Sequence, residues 1–218
     1  MPEAGGVAVS DWTLEGTLLV EPRLSAAGLR HGMTTLGVDT SSFSSVLAPK
    51  QEHGVAIHEA RPGMPRLVGD GLVSRTPGLA IGVFTADCVP LLLWSDDGRT
   101  VGAFHAGWRG LAAGMARAAV AAMGGPARLS AAVGPHIGPC CYTVGEDLLP
   151  KFDTARFRRD GGRLVLDLGA EARAQLSDAG IPSVRTTVSS LCTSCRPELA
   201  SWRRDRVKRN MLTFVTPA

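Results

Sequence analysis

Cys88 and His105 stand at the outer ends of two apolar runs, a soft sulfur and an imidazole placed where chemistry is most readily done. Val89 to Trp94 and Thr100 to Phe104 read as strands, and Ser95-Asp-Asp-Gly98 between them carries the Asp-Gly signal of a hairpin loop. Residues equally far from the turn face each other in an antiparallel hairpin, so a loop of Ser95 to Gly98 pairs Cys88 with His105. Other loop choices shift that register by about two residues. In every case the thiol and the imidazole leave the same end of the hairpin, as half of a zinc site or as a Cys-His catalytic pair.

A third candidate comes from upstream. Gln51-Glu-His-Gly54 leads into a strand from Val55 to His58, whose alternation puts Ala56 and His58 on one face and leaves His53 at the strand mouth. His53, Cys88 and His105 would leave the fourth position of a zinc ion open to water or substrate, the mark of a catalytic site. Their separations match no short zinc motif. Metal-free catalysis, with Cys88 attacking and His105 as base, needs the same contact. Asp87, beside Cys88, either orients a ligand or does acid-base work, or caps the Thr85-Ala-Asp turn. Arg109 lies in Gly107-Trp-Arg-Gly110, just ahead of an alanine-rich helix expected from Leu111 to Met123 and stopped by Gly124-Gly125. A helix start there suits an anion such as phosphate or a carboxylate.

The remaining cysteines form a Cys192-x-x-Cys195 pair and a vicinal pair, Cys140-Cys141. The first is a usual half of a structural zinc site, but adjacent residues rarely point at one metal, so thiols lining the core are the expectation here. No Rossmann or P-loop signature is present, which argues against dinucleotides and nucleoside triphosphates.

The positioning elements read as mixed strands, hairpins and three helices without a repeated βαβ unit, which predicts a single α+β domain over residues 11–218 with mixed or antiparallel sheets, after a tail at residues 1–10. Strands are expected at Asp11 to Pro22 (paired about Gly16), Leu72 to Arg75, Leu79 to Phe84, Leu129 to Val133, Arg163 to Leu168, Val184 to Val188 and Asn210 to Val215. Helices are expected from Val144 to Phe152 and from Leu168 to Ala179, with Thr40 to Ser45 a loop.

With 44% hydrophobic and 20% charged residues the composition excludes disorder, and the +3 charge with its Arg runs, Arg156 to Arg159 and Trp202 to Arg209, suggests a solvated face or a site edge rather than a nucleic-acid surface. No signal peptide or membrane-length apolar run is seen, so a cytoplasmic protein with no membrane partner is expected, its five cysteines kept as thiols or ligands.

Leu29-Arg-His-Gly32, Gln51-Glu-His-Gly54, Thr85-Ala-Asp-Cys-Val-Pro-Leu91, His105-Ala-Gly-Trp-Arg-Gly110, Gly134-Pro-His-Ile-Gly-Pro-Cys-Cys-Tyr142 and Leu191-Cys-Thr, in this order, resemble the multicopper polyphenol oxidoreductase (laccase-like) family, whose members are also described as zinc-dependent purine nucleoside phosphorylases. The resemblance implies a four-layer αββα sandwich and a zinc ion on His53, Cys88 and His105. It also implies phosphorolysis of adenosine, inosine, guanosine and methylthioadenosine, with adenosine deamination as a second activity. Other members are described as peptidoglycan editing enzymes or polyphenol oxidases. Two departures stand out: the segment between His31-Gly32 and His53-Gly54 is short, and Ser201-Trp-Arg-Arg-Asp205 with Arg206 replaces a usual Ser-Tyr/Phe-Arg-Arg-Asp-Gly.

The resulting expectation is a zinc enzyme, zinc rather than copper, taking a small nucleoside and phosphate, as a monomer or weak homodimer. Cys88, His105 and Asp87 carry the chemistry. Arg109 holds phosphate, with Arg30 and His31 as a second set. The competing expectations are a Cys88-His105 hydrolase or amidase acting on a cell-wall precursor, a laccase-like polyphenol oxidase, and a zinc-stabilised binding protein without activity.

Overall fold

A computed structural model describes residues 12–218, so the expected tail lies outside the described residues. The chain opens with β1 (Thr13–Glu15) and β2 (Leu18–Val20), paired across Gly16 as expected, then α1 (Pro22–Ala26), started by Pro22 and capped by the Glu21 carboxylate on the Leu24 N–H. Next comes β3 (His31–Thr34), fully buried, where the sequence had suggested an irregular segment. Its His-Gly pair hides a strand because the residues around it alternate too little to show a period.

The middle of the chain supplies β4 (Ile57–Glu59), β5 (Gly71–Ser74), β6 (Ile81–Thr85), β7 (Val89–Ser95) and β8 (Val101–Ala106). The long helix expected from Leu111 to Met123 is two short ones, α2 (Trp108–Ala112) and α3 (Met115–Ala122), because Gly114 takes a left-handed φ of 86° that no helix can continue through. β9 (Leu129–Val133) follows as expected. The helix expected at Val144 to Phe152 is instead a 3-10 turn, Glu146–Lys151, with Pro150 inside it. A two-stranded ribbon, β10 (Phe157–Asp160) and β11 (Arg163–Leu166), then α4 (Leu168–Asp178), β12 (Thr186–Val188), α5 (Trp202–Asp205) and β13 (Met211–Val215) complete it.

Two sheets face each other, one of order β1-β2-β3-β13-β6 and one of order β12-β9-β7-β8-β5-β4. β4 with β5 and β9 with β12 are parallel, and the other pairs are antiparallel, so the fold is mixed α+β. β5 and β6 do not form a hairpin; the turn between them carries the chain from one sheet to the other. Alternation along β7 and β8 divides the core. Leu91, Leu93, Phe104 and Ala106 pack under α3 and α4, while Leu92, Trp94, Val101 and Ala103 fill the space between the sheets. Each fully buried leucine contributes roughly 2 kcal/mol. The outer face of the first sheet is covered more thinly: Phe43, in the 3-10 turn Thr40–Phe43, packs on Phe214 at 5.4 Å between ring centres. That turn occupies the shortened segment.

Candidate active site

The β7–β8 register pairs Pro90 with His105 and Val89 with Ala106. It differs by two residues from the simplest pairing. Cys88 therefore lies just before β7 and His105 one residue inside β8, both on the parity that faces the other sheet. A Cβ on Gly107 would stand 3.0 Å from the Cys88 sulfur and 3.1 Å from His53 Cδ2, tighter than most real contacts. Glycine at 107 lets the thiol and the second imidazole meet without displacement.

His53 is delivered by the loop before β4, in a left-handed conformation (φ 67°) rare for a residue with a Cβ. Two devices hold it there. The Gln51 amide bonds the Phe84 backbone in both directions, Nε2 donating to the carbonyl at 2.7 Å and Oε1 accepting the N–H at 2.8 Å. Asp70, fully buried, accepts the backbone N–H groups of Glu52, His53 and Gly54 at 3.3, 2.9 and 2.7 Å. The same carboxylate accepts His105 Nδ1–H at 2.7 Å, and its backbone carbonyl accepts the His105 N–H, also at 2.7 Å. One aspartate thus positions both imidazoles and orients His105 so that its Nε2 faces Cys88 as a ligand or base.

The ligand atoms of His53, Cys88 and His105 all lie within 4.8 Å of one another, and the two imidazole rings meet edge to face at 4.7 Å. Burial pushes the Cys88 thiol up, but hydrogen bonds with His105 and His53 outweigh it and hold the group at about 7. Burial likewise opposes charge on His105, yet the bonds to Asp70 and Cys88 lift it to about 9. For Asp70 burial is again the opposing effect, overcome by His105 and the loop N–H groups, which bring it to about 2. A thiolate and two imidazoles converging from three segments are a donor set that a zinc-type cation fits.

The cluster opens into a cavity of about 500 Å³ lined also by Lys50, Arg66, Phe84, Trp202, Lys208, Arg209 and Asn210. Its walls supply four cations, two aromatic rings and no carboxylate among the described lining residues. This is an anion-attracting mouth with flat apolar surfaces beside the ligand set.

A family model described as "Multi-copper polyphenol oxidoreductase laccase" matches residues 25–216. The chain belongs to this family. Among relatives, it is 40% identical over 153 residues, 69% of this chain and 72% of the other, to a protein of Aquifex aeolicus named purine nucleoside phosphorylase. It is 34% identical over 213 residues, 87% of this chain and 78% of the other, to one named adenosine deaminase RL5 from an unknown prokaryotic organism. The crystal structure of YlmD from Geobacillus stearothermophilus superposes with a TM-score of 0.84 at 28% identity, covering 95% of this chain and 99% of that one. The named relatives are enzymes.

Within this laccase-family chain, the other expected site residues are placed differently. Both Asp87 oxygens are occupied, Oδ1 by the Thr193 hydroxyl and Oδ2 by the Arg203 N–H, each at 2.7 Å, and its φ is 85°. The carboxylate beside Cys88 is thus tied to two distant segments, the 192–195 turn and the first turn of α5. His31 is buried and does not line the cavity. Its Nε2 accepts the Glu21 N–H and its Nδ1 therefore donates to the Leu29 carbonyl, both at 2.8 Å. Arg30 donates to the Thr216 hydroxyl at 3.4 Å. Arg109 lies over the Trp108 ring at 4.6 Å, outside the cavity lining, in the first turn of the five-residue α2. His58 is half-buried as expected, bonded to the Val68 carbonyl at 2.8 Å.

Sequence reasoning passed over Asp70, which stands between Gly69 and Gly71, and the cavity cations Lys50 and Arg66. The glycines on both sides of one buried acid were the available signal. The basic run after Trp202 proves to be a site edge, with Lys208 and Arg209 in the wall. Trp202 keeps an aromatic ring where the family usually has Tyr or Phe, and Arg206 takes the left-handed conformation (φ 55°) that suits the usual glycine. Among the described residues, no helix is long and apolar enough to cross a membrane.

Proposed function

We propose that this chain is a zinc-dependent purine nucleoside phosphorylase acting on adenosine, inosine, guanosine and methylthioadenosine, with adenosine deamination as a second activity. The observation that carries the reading is the composition of one cavity: the His53–Cys88–His105 set at its floor, four cations and two aromatic rings in its walls. Phe84 and the half-exposed Trp202 offer faces for a purine. Lys50, Arg66, Lys208 and Arg209 match a dianionic phosphate in charge. An oxygen of the bound hydrogen phosphate attacks C1′ as the N9–C1′ bond breaks; the departing purine takes the electron pair, and the proton carried by the hydrogen phosphate passes to it. His53, Cys88 and His105 would hold the ion, which when bound supplies Lewis acidity at an open position. Asp70 keeps His105 turned toward it.

The donor set supports zinc over multicopper oxidase chemistry, which calls for more histidines. His31, His58 and His136 are each bonded to backbone carbonyls elsewhere.

A second reading has its own observation. Cys88, His105 and Asp70 line up as nucleophile, base and orienting carboxylate, the relay of a thiol hydrolase acting on a cell-wall precursor. The convergence of His53 on the same thiol favours a ligand role. Incubating metal-loaded protein with adenosine and phosphate, then separating products, decides between them. Release of adenine and ribose 1-phosphate, lost to a chelator and restored by zinc, supports the proposal. Absence of both phosphorolysis and deamination refutes it, and hydrolysis of a peptide-linked precursor that survives chelation establishes the thiol relay.

A further inference from the structure

The four cysteines outside the cavity form one group at the edge of the core, which Cys192 enters and Cys141 packs against. Only Cys192 is buried, while Cys140 and Cys195 are exposed, and the four sulfurs lie within 4.8 Å of one another. Two edges of this group are 3.7 Å, Cys140 to Cys195, and 3.4 Å, Cys141 to Cys195. Zinc–thiolate bonds of about 2.3 Å at tetrahedral angles put the sulfurs roughly 3.8 Å apart. The group already has nearly that size. Bonded disulfide sulfurs would be about 2.05 Å apart.

The vicinal pair converges because its loop curls back on itself: the N–H groups of Cys141 and Tyr142 both donate to the Gly138 carbonyl at 3.0 Å. Opposite them, the Cys192–Cys195 turn closes with the Cys195 and Arg196 N–H groups on the Cys192 carbonyl at 3.1 Å. The Gly138 N–H donates to the Cys192 sulfur at 3.2 Å, a bond that favours thiolate. Arg204 then grips the outside of the turn, with Nη1 3.0 Å from the Thr193 carbonyl and 2.9 Å from that of Arg196, and brings a positive charge beside the sulfurs.

We propose that Cys140, Cys141, Cys192 and Cys195 form a second, structural metal site taking one Zn²⁺ as a tetrathiolate. Binding releases one proton from each thiol to solvent, with no change of oxidation state. With all four positions filled by protein it has no open coordination site, unlike the three-ligand cluster in the cavity. Its place explains its use. The site ties the loop after β9 to the loop after β12, and Thr193, inside the Cys192–Cys195 turn, donates to the Asp87 carboxylate that clasps Cys88. The second ion would thus brace the wall behind the catalytic cysteine. The inference rests on these four sulfurs alone and stands or falls separately from the reaction proposed above.

The test is metal analysis of protein purified under reducing conditions, on the wild type, on Cys88→Ala and on Cys192→Ser/Cys195→Ser. Two zinc ions per chain are expected in the wild type. Cys88→Ala should keep one, and when that ion is replaced by Co²⁺ the protein should show the intense near-ultraviolet sulfur-to-cobalt absorption of several thiolates. Cys192→Ser/Cys195→Ser should lose both that equivalent and that absorption. Should the double variant fail to fold, Cys88→Ala alone still decides. A Cys88→Ala protein that binds no Zn²⁺ and no Co²⁺ overturns the proposal. So does a disulfide among the four cysteines, found by mass spectrometry of the wild type without added reductant.

Discussion

Asp70→Asn removes one charge at constant size from the residue that positions both imidazoles. In the metal-free protein the Asp70 carboxyl sits at about 2 against an ordinary 3.8, which at 1.36 kcal/mol per pH unit is roughly 2 kcal/mol of preference for the folded carboxylate. Four N–H groups point at its two oxygens, from Glu52, His53, Gly54 and His105. An asparagine presents one oxygen and one NH₂, so at least one of these donors faces another donor. A buried donor left without a partner costs about 1–3 kcal/mol. The two effects come from the same bonds and overlap, so the expected loss is about 2–4 kcal/mol, read by urea unfolding of chelator-treated protein. Metal affinity should fall by roughly 10–100-fold in a competition titration, because His105 loses the partner that orients it. The pH dependence adds a signature. A depressed acid stabilises the fold above its unfolded pKa, and that contribution is lost as pH falls from about 4 toward 2. The wild type should show this loss and the variant should lack it. A variant within about 0.5 kcal/mol and twofold in metal affinity of the wild type would refute the reasoning.

Four further outcomes are expected. Gly107→Ala keeps an allowed backbone but drives a methyl against the Cys88 sulfur and His53, so it should fold with a cost of about 1–3 kcal/mol and lose most of its metal affinity, as measured by chelator competition. In metal-free protein Cys88 should react with iodoacetamide with a midpoint near pH 7, about 1.5 units below an ordinary thiol, and zinc should protect it; a midpoint above 8 would contradict the imidazole contacts. The stabilisation from the depressed Cys88 is lost as pH falls through about 7, and that from the raised His105 as pH rises through about 9, so the metal-free fold should gain most from the pair between these values. Lys208→Ala/Arg209→Ala should raise the phosphate KM by roughly 10–100-fold, at about 1.5 kcal/mol per lost charged contact, with adenosine deamination little changed. Equal losses in both reactions would count against a phosphate role.

The residues with distinctive chemistry were legible without coordinates. His53, Cys88 and His105 each end or precede a strand-like run beside a glycine-rich or polar loop, and short-range pattern suffices to see that such side chains leave strand ends. Strands β7 to β9, helix α4 and the final strand were legible for the same reason, since apolar period and turn residues are local properties. The tertiary structure decided what depends on contacts distant in sequence. Asp70 looked like a turn residue because its role comes from the 52–54 loop and from His105, which no local pattern connects to it. The cationic wall of the cavity could not be assigned either. Lys50, Arg66, Lys208 and Arg209 come from separate segments, and only the stacking of the two sheets brings them to one mouth. Conversely Arg109 and His31, beside promising motifs, were turned away by an aromatic face and by a buried strand. The four cysteines make the point most simply. Spacing argued against adjacent thiols sharing a centre, and a loop curled through the Gly138 carbonyl brings both to the same side.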